Sequence, residues 1–360
     1  MKILYLAPDV DLSRPHGGYS HVKNATESLS KLGHAVKVIA GGSKNRYLKQ
    51  VHHLLTPILT TFYYCLFNKT DLIYERGRIF SGFPQVIGRI FGKKTVYEVI
   101  EPFAGIKTTS GFLQKLVKAW YDFTTKFSGL ILITHRSMIS GSGNNYFITH
   151  TGTDPKLFSP KKAKKSKNKI VLYSGSFAKW HACENIIKAA KITAGKNKNI
   201  KFLMIGTGEN FENCRNLAEK LKLKNVSFPG EVNYGKMPSY INSADICLAL
   251  FDRTYEPFRK FDYFYSPIKV HEYKSCGKPI IASGIGTLKE LVKHKVNGLQ
   301  VNEQNPAQIA NAIVFLIKNK KLADKMGALN RKEVLEKYNW DKINSEILAQ
   351  INKQAYKIWQ

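Results

Sequence analysis

The stretch Ser266–Glu290, SPIKVHEYKSCGKPIIASGIGTLKE, decides the fold that we predict for this chain. Pro267 suits the first position of a helix, where no amide is needed, and the composition of Ile268–Ser275 suits a short helix. The run Cys276–Pro279 stops that helix and leads into the apolar strand Ile280–Ala282, which is followed by a second glycine-rich turn and another helix. The stretch therefore predicts one helix–strand–helix unit of an α/β fold.

The start of the predicted helix has the chemistry of an anion site. The free amides of Ile268 and Lys269 point out of the helix N-terminus, and the ammonium group of Lys269 adds a positive charge. Glu272 lies about one turn later on the same side and can accept hydrogen bonds from sugar hydroxyls. Phosphates at the helix start and a diol one turn along describe a sugar nucleotide. The alternative is an ordinary helix–strand–helix unit with Lys269 and Glu272 on its surface.

The motif S-P-x-K-x-x-E-Y, followed by G-K-P, resembles the donor-binding segment of family 4 retaining glycosyltransferases. The resemblance implies the GT-B fold: an α/β protein of two Rossmann-like, doubly wound domains that face each other across a cleft, with a C-terminal helix that crosses back. It also implies a nucleotide-diphosphate sugar as co-substrate, without a metal or another cofactor.

The chain departs from the family pattern at one acidic position. The wider family carries two glutamates with seven residues between them, and Glu272 matches the second. Phe264 stands in place of the first, which in the family helps to hold the donor sugar. We therefore expect Asp262 or Glu256 to supply the sugar contact.

The length of 360 residues suits two domains of similar size. We expect an acceptor-side domain at 1–160, a donor-binding domain at 161–338 and a helix at 339–360 that packs back on the first domain. Both predicted domains open with a strand, a glycine turn and a helix, which is the opening of a nucleotide-binding fold.

In the first domain, Gly17 and Gly18 follow the strand Ile3–Ala7 and resemble the family's N-domain Gly-Gly loop. The resemblance implies a backbone that closes over the donor phosphates, and the alternative is a flexible turn. Asp9-Val10-Asp11 imitates a D-x-D metal motif, but its position directly after the first strand argues against a metal site.

Two strand ends of the first domain, Tyr74-Glu75-Arg76 and Tyr97-Glu98-Val99, resemble family positions at the edge where open α/β sheets bind ligands. Glu98 and Arg76 are therefore weak catalytic candidates. Ile100 stands where many relatives carry His or Asn, so the sequence assigns no catalytic residue.

The turn that opens the second domain commonly supplies an Arg and a Lys to the diphosphate in this family. Here the corresponding positions are Ser176 and His181, and Lys179 is the nearest cation. A loop histidine without a ligand is the alternative. Phe211 replaces the third glycine of the dinucleotide fingerprint, which argues against a nicotinamide cofactor. The predicted donor-binding residues are Gly17, Gly18, Ser176, Lys179, His181, Ser266, Ile268, Lys269 and Glu272.

The net charge of +30, from 56 basic and 26 acidic residues, calls for an anionic partner: nucleic acid, an acidic membrane surface or a phosphorylated substrate. No nucleic-acid motif occurs, so we expect no nucleic-acid partner. Five scattered cysteines without a C-x-x-C pair argue against disulfides and zinc. The short apolar run after Met1-Lys2 is unlike a signal peptide, and we expect a cytoplasmic protein.

Two apolar helices bear on the acceptor. No acidic residue occurs from Ser28 to Thr70, and the apolar residues of 51–66 recur at helical spacing. A second stripe runs from Phe112 to Trp120 beside several lysines. For the first helix we favour a side that faces the core, with a face lying on anionic lipid as the alternative. The second suits packing on the sheet and lying on anionic lipid equally. A helix face on lipid would suggest a lipid-linked or membrane-borne acceptor at the cytoplasmic membrane face, and a carbohydrate acceptor is the other possibility.

The sequence thus predicts a retaining, hexosyltransferase-type enzyme of polysaccharide, glycolipid or glycoconjugate synthesis. A sugar-nucleotide epimerase of similar fold is one alternative. A catalytically inactive nucleotide-sugar-binding protein is another, because Phe264 and Ile100 replace functional groups of the relatives.

Overall fold

The computed structural model describes residues 1–13, 17–41, 46–77, 81–102, 111–139, 145–162 and 166–357. The chain divides into two compact units. Unit 1 comprises Met1–Gly152 and Trp340–Gln360, and unit 2 comprises Thr153–Asn339. The chain therefore passes from one unit to the other at Gly152/Thr153 and at Asn339/Trp340, whereas the sequence suggested divisions at residues 160 and 338.

Unit 1 is built on a parallel sheet of six strands in the order β2-β1-β3-β4-β5-β6. Their bounds are β1 Lys2–Asp11, β2 Ala35–Gly41, β3 Leu72–Gly77, β4 Lys94–Val99, β5 Leu130–Ile133 and β6 Tyr146–Ile148. The helices are α1 Gly17–Lys31, α2 Arg46–Phe67, α3 Phe83–Ile90, α4 Gly111–Phe127 and, at the end of the chain, α13 Trp340–Lys357.

Helices cover both faces of this sheet, as a doubly wound fold requires. On one face, Val22 and Leu29 of α1 pack with Trp340, Ile343 and Ile347 of α13 against alternate side chains of the strands. The Asn344 side chain donates a hydrogen bond of 2.9 Å to the carbonyl of Ala25, so that the two helices are also joined by a buried polar contact.

On the opposite face, Cys65 of α2 and Ile87 of α3 pack on Leu4, Leu6 and Ile73 of the strands. Successive residues of a strand point to opposite faces, and the two clusters therefore take alternate residues of the same strands.

Unit 2 has a second parallel six-stranded sheet, in the order β12-β11-β10-β7-β8-β9. Its strands are β7 Lys169–Ser174, β8 Ile200–Ile205, β9 Val226–Gly230, β10 Ile246–Ala249, β11 Ile280–Ser283 and β12 Gly298–Val301. Its helices are α5 Cys183–Lys196, α6 Phe211–Lys220, α7 Met237–Ser243, α8 Glu256–Phe261, α9 Ile268–Ser275, α10 Gly286–Leu291, α11 Pro306–Lys318 and α12 Lys320–Glu336.

Each sheet has one point at which the strand order reverses. In unit 1 it lies between β1 and β3, and in unit 2 between β7 and β10. Crossovers on either side of such a point go to opposite faces, which leaves a crevice at the carboxyl ends of the two strands where open α/β sheets bind ligands. Topology alone therefore points to two places at which functional residues should gather.

The structure confirms the predicted helix at Ile268–Ser275, which is α9, and corrects two other predictions. The first strand does not end at Pro8 but continues to Asp11, because its pairing with β2 shifts register between Ala7 and Asp11. A proline, which lacks an amide, is tolerated at such an irregularity.

The second correction concerns α2, which we expected to face the core. Pro57, Thr61 and Cys65 lie on its buried side, whereas Leu59 and Phe62 are 65% and 50% exposed. The apolar stripe that the spacing selects thus faces solvent, and a side with Thr61 and Cys65 packs on the sheet instead. None of the helices in the described part of the chain combines the length and hydropathy that crossing a membrane demands.

The role of α13 in unit 1 can be tested by truncating a side chain that it buries. Ile347 is 3% exposed, and Ile347→Ala should lower the free energy of unfolding by about 2–5 kcal/mol because it leaves a cavity. Lys353→Ala on the solvent side of α13 is the matched control and should leave the melting temperature nearly unchanged. Equal melting temperatures of the two variants in scanning calorimetry would contradict this packing.

Candidate functional site

The reversal point of unit 2 gathers residues from three separate segments. The chain leaves β7 at Gly175, and His181 forms an isolated antiparallel bridge with Phe251, just after β10. The third segment is α9, whose second residue is Lys269. Gly175 and Lys269 are more than 90 positions apart in the sequence, and the strand order brings their segments together.

Lys269 is the centre of this cluster. Its Nζ lies 3.4 Å from His181 Nε2, 4.4 Å from the ring centroid of Tyr173 and 5.2 Å from that of Phe251. It forms no salt bridge with any carboxylate of the described residues. Burial lowers the pKa of Lys269 to about 8, against the ordinary 10.5, although nearby Glu272 acts in the opposite direction. The neighbours of this cation are therefore two aromatic rings and an imidazole, where a carboxylate would be expected.

Gly175 makes room for the Lys269 side chain. A Cβ at position 175 would lie 2.5 Å from Nζ, and the φ of +139° is one that other residues rarely adopt. Any side chain here would both strain the turn and push the ammonium away. The glycine that follows β7 thus serves the position of Lys269.

His181 is buried and faces the same charge. Burial, together with the charge of Lys269, holds the pKa of His181 well below its usual range, so the ring is neutral near pH 7. Its Nδ1 atom is buried without a hydrogen-bond partner in the described structure. An unpaired buried polar atom beside a cation is typical of a site that is completed by a ligand.

Glu272 lies on the same helix as Lys269 and is 6% exposed. Burial raises the pKa of Glu272 to about 7, although the neighbouring Tyr234 hydroxyl and the charge of Lys269 oppose the rise. The helix therefore presents a basic and an acidic group, each shifted toward neutrality, which is a pattern that clusters at functional sites.

The first turn of α9 leaves its leading amides available. The Val270 amide donates to the carbonyl of Pro267 at 2.9 Å, whereas the amides of Ile268 and Lys269 have no partner in the described structure. Ser266 is buried, and its hydroxyl lies 3.0 Å from His271 Nε2. Its hydroxyl thus braces the helix start through His271, whereas the two amides remain open to an anion.

Two predicted residues of this loop do not join the cluster. Ser176 is exposed, and only its carbonyl is used, as acceptor of a 2.6 Å hydrogen bond from the Tyr173 hydroxyl. Lys179 is exposed, its amide donates to Glu209 Oε1 at 3.1 Å, and its Nζ lies 3.9 Å from the same carboxylate. Lys179 is therefore occupied on the protein surface rather than directed toward Lys269.

Phe264, which stands in the place of the family's first glutamate, is 2% exposed and packs on Phe258 and Tyr265. Asp262 is exposed and has φ +60° and ψ −177°, a region that residues other than glycine avoid. Glu256, the first residue of α8, is also exposed. The two carboxylates that we expected to replace the missing glutamate are thus accessible, and Asp262 is held under backbone strain.

The reversal point of unit 1 carries a network of charged side chains. Arg76 at the end of β3 forms an ion pair with Asp9, and Glu98 at the end of β4 lies 3.0 Å from His21 Nε2 of α1. The Tyr74 hydroxyl donates to the second oxygen of Glu98 at 3.1 Å. Burial raises the pKa of Glu98, but His21 and Arg76 outweigh this effect and the pKa lies below its ordinary value. Glu98 is therefore ionised at neutral pH.

Strand alternation separates Glu75 from this network. It points to the other face of the sheet, where it accepts hydrogen bonds from the Gly82 amide at 2.9 Å and from Gln85 Nε2 at 3.1 Å. Burial raises its pKa to about 7, a shift that these hydrogen bonds reduce.

The two glycines that we predicted to form a loop before α1 belong to the helix itself. Gly17 and Gly18 are its first two residues.

Sequence reasoning missed Tyr173, Phe251, Asp9 and His21 as parts of the two clusters. Tyr173 and Phe251 looked like core residues because each lies in or directly after an apolar strand. Asp9 was considered only as a metal ligand, yet it pairs with Arg76. The position of His21 in the first turns of a helix that follows a strand was the one available signal.

The fold agrees with solved structures of known class. Sucrose-phosphate synthase from Thermosynechococcus elongatus superposes with a TM-score of 0.76 over 99% of both chains at 18% identity. The Anabaena protein HepE, solved in complex with UDP-glucose, superposes with a TM-score of 0.71 over 98% of this chain and 100% of that one, also at 18% identity. Together with the two parallel six-stranded sheets, these matches show the GT-B fold of glycosyltransferases.

Residues 155–333, nearly all of unit 2, match the family model described as "Glycosyl transferases group 1". An uncharacterized glycosyltransferase of Methanocaldococcus jannaschii is 27% identical over 302 residues, which are 76% of this chain and 72% of that protein. The family model and this relative support a glycosyltransferase with the GT-B fold.

Lys269, which is partly buried, and Lys274, which is fully buried, lie on the same helix and allow a functional lysine to be distinguished from a structural one. Lys269 is a cation without a carboxylate partner, so Lys269→Met should raise the free energy of unfolding at pH 7, on the order of 1–3 kcal/mol at 1.36 kcal/mol per pKa unit. The cost of burying the charge is fully present below pH 8, where both folded and unfolded states are protonated. The advantage of the variant should shrink as the pH rises from about 8 toward 10.5.

The control for this test is Lys274→Met. Lys274 is buried in an ion pair with Glu333, and its removal should destabilise unit 2 by up to about 3 kcal/mol because it leaves that carboxylate unpaired. Melting curves of both variants at pH 7 check the prediction. If Lys269→Met were as destabilising as Lys274→Met, Lys269 would be a structural residue.

Proposed function

We propose that the protein is a retaining glycosyltransferase that moves a sugar from a nucleotide-diphosphate sugar to an acceptor hydroxyl, and that it holds the donor at the reversal point of unit 2. One observation carries the proposal: the ammonium group of Lys269 is partly buried beside His181 without a carboxylate partner. Such a charge is costly unless an anion completes the site. A diphosphate is an anion of the right charge, and the open amides at the start of α9 are suited to its oxygens.

The same groups are placed to stabilise the nucleotide as it leaves the sugar. When the bond between the sugar and the diphosphate breaks, negative charge develops on the leaving phosphate oxygens. The amides of Ile268 and Lys269 and the Lys269 ammonium are fixed in place to stabilise that charge. On this proposal no metal ion is required.

Glu272 is proposed to bind the ribose of the donor. It lies one turn from the phosphate-binding end of α9 and is shielded from bulk water, which strengthens its hydrogen bonds. The Tyr234 hydroxyl lowers the pKa of this carboxylate, so a hydroxyl group such as those of a ribose diol is compatible with a position beside it.

The sugar of the donor is proposed to contact Asp262. Phe264 is buried and cannot serve, whereas Asp262 is exposed and is kept in an unfavourable backbone conformation. Backbone strain of this kind costs about 1–3 kcal/mol and persists where the surroundings impose it, often at binding sites. The ring of its neighbour Tyr263 packs on Phe251, with centroids 4.4 Å apart, and Phe251 also borders Lys269.

UDP-glucose is the donor with which to begin, since HepE of similar fold was solved in complex with it. We propose a hexose as the transferred sugar and a carbohydrate or lipid-linked acceptor, in polysaccharide or glycoconjugate synthesis.

In unit 1, the ionised Glu98 and its neighbour Arg76 are proposed to act on the acceptor side. Ser176, Lys179, Gly17 and Gly18 are proposed only as outer contacts of the donor.

The affinity for the donor should depend on the charge of Lys269. Below about pH 8 the ammonium is protonated in the free protein and binding is strongest; above it, affinity for UDP should fall by up to tenfold per pH unit until the pKa of the complex is reached. Calorimetric titration with UDP between pH 7.5 and 9.0 measures this, because Glu272, whose pKa is about 7, is mostly ionised in that range. The Lys269→Met variant should bind at least tenfold more weakly at pH 7.5 and show no such slope. A parallel slope in the variant would remove Lys269 from the site.

Glu272→Ala should weaken donor binding by about 1.5–3 kcal/mol, the range for a hydrogen bond to a charged group, which is roughly 10- to 150-fold in Kd. The variant Asp245→Asn, in the ion pair with Lys169 just before β10, removes a carboxylate at the amino ends of the strands and is the control. Unchanged affinity of Glu272→Ala for UDP would refute the ribose assignment.

An activity assay distinguishes a glycosyltransferase from an epimerase and from a binding protein without catalytic activity. Purified protein with UDP-glucose and an acceptor mixture should release UDP only when acceptor is present, and the new glycosidic bond should keep the anomeric configuration of the donor. Formation of an epimer without release of UDP would indicate an epimerase. Binding without turnover of any donor would indicate a nucleotide-sugar-binding protein.

A further inference from the structure

The solvent-facing side of α2 is apolar along the described part of the helix. At a spacing of three and four residues, Leu55, Leu59, Phe62 and Leu66 form one stripe, and they are 46%, 65%, 50% and 48% exposed. Tyr63 and Phe67 widen it. A surface helix ordinarily turns its polar side to water, and here that side has no charged residue from position 54 to 67.

The two following helices continue this apolar surface. Phe62 of α2 meets Phe91, just after α3, at a ring distance of 5.5 Å, and Phe83 of α3 meets Trp120 of α4 at 4.2 Å, which places the helices side by side. Ile90 is 75% exposed. The α4 stripe is exposed as well and consists of Phe112, Leu116, Phe123 and Phe127.

The concentration of these residues distinguishes them from ordinary surface hydrophobic residues. Twelve of the 18 exposed large hydrophobic side chains in the described structure lie on α2, α3 and α4. Single exposed leucines need no explanation, but a contiguous set on three adjacent helices marks an interaction surface. We call it the apolar helix surface.

The charges around the apolar helix surface are basic. Lys69 follows α2, Arg89 ends α3, and Lys115, Lys118 and Lys126 form the polar side of α4; all are exposed. Within the three helices, Asp122 is the only acidic residue, and it is paired with Lys118. The partner of this surface should therefore be apolar and anionic together.

We propose that the apolar helix surface docks on an anionic lipid bilayer. Helices that carry large apolar side chains beside lysines lie in the plane of a membrane interface, with the apolar residues among the acyl chains and the ammonium groups at the headgroups. A second copy of the chain fits less well, because pairing two identical surfaces would bring the two basic rims together. The inference stands on unit 1 alone and does not rest on the proposed function of the donor site.

Vesicle co-sedimentation tests this proposal. The protein should pellet with vesicles of phosphatidylcholine and phosphatidylglycerol at 3:1, and at least tenfold less with phosphatidylcholine alone or at 0.5 M salt. Leu59→Glu combined with Phe67→Glu should reduce binding to the anionic vesicles at least tenfold. Leu335→Glu, at a residue that is 50% exposed on α12 of unit 2, is the matched control and should bind like the wild type.

The other outcomes would overturn the proposal. Equal recovery in the supernatant from both kinds of vesicle would exclude a lipid surface. Equal loss of binding in the Leu335→Glu control would show that added negative charge, rather than the apolar helix surface, is what matters. Dimers in light scattering that Leu59→Glu with Phe67→Glu abolishes, without vesicle binding by the wild type, would assign the surface to a second copy. Melting curves establish that both variants fold.

Discussion

The buried charge of Lys269 is the constraint around which unit 2 is arranged. A cation in a low-dielectric site needs compensation, and the fold supplies two aromatic rings and a neutral imidazole rather than a carboxylate. Lys274, five residues along the same helix, shows the other solution, a buried ion pair with Glu333. A spacing of five residues places the two lysines on different sides of α9, so that one helix carries one lysine paired with a carboxylate and one that has no salt bridge within the described residues.

Both charged clusters lie at the points that topology selects. Parallel strands place their carboxyl ends at one edge, and reversal of the strand order opens a crevice there. In unit 2 this edge collects a cation and open amides, which suit an anion. In unit 1 it collects the ion pair of Arg76 with Asp9 and the contact of Glu98 with His21. Two sheets built by the same rule thus offer different chemistry because different residues follow their strands.

The sequence was informative where chemistry and local structure coincide. Helix α9 could be predicted from Pro267 and the turn at Gly277, and with it the positions of Lys269 and Glu272 on neighbouring turns. It could not show that Tyr173 and Phe251 border Lys269, because these residues are about 80 positions apart and meet only through the strand order. The strained backbone of Asp262 was equally invisible in the sequence. The residue that follows it is held by a distant one, since the Thr287 amide donates to the Tyr263 carbonyl.

In unit 1 the two faces of one sheet have separate roles, and strand alternation is the reason. Tyr74 and Arg76 point to the face that α1 and α13 cover, whereas Glu75 between them points toward α3. A helix on the second face packs on the sheet with one side only. The buried side of α2 carries small and polar residues such as Thr61 and Cys65. Its large apolar residues are therefore free to point outward. The excess of apolar side chains in α2 is not needed for the core, which is why it requires an explanation outside the fold.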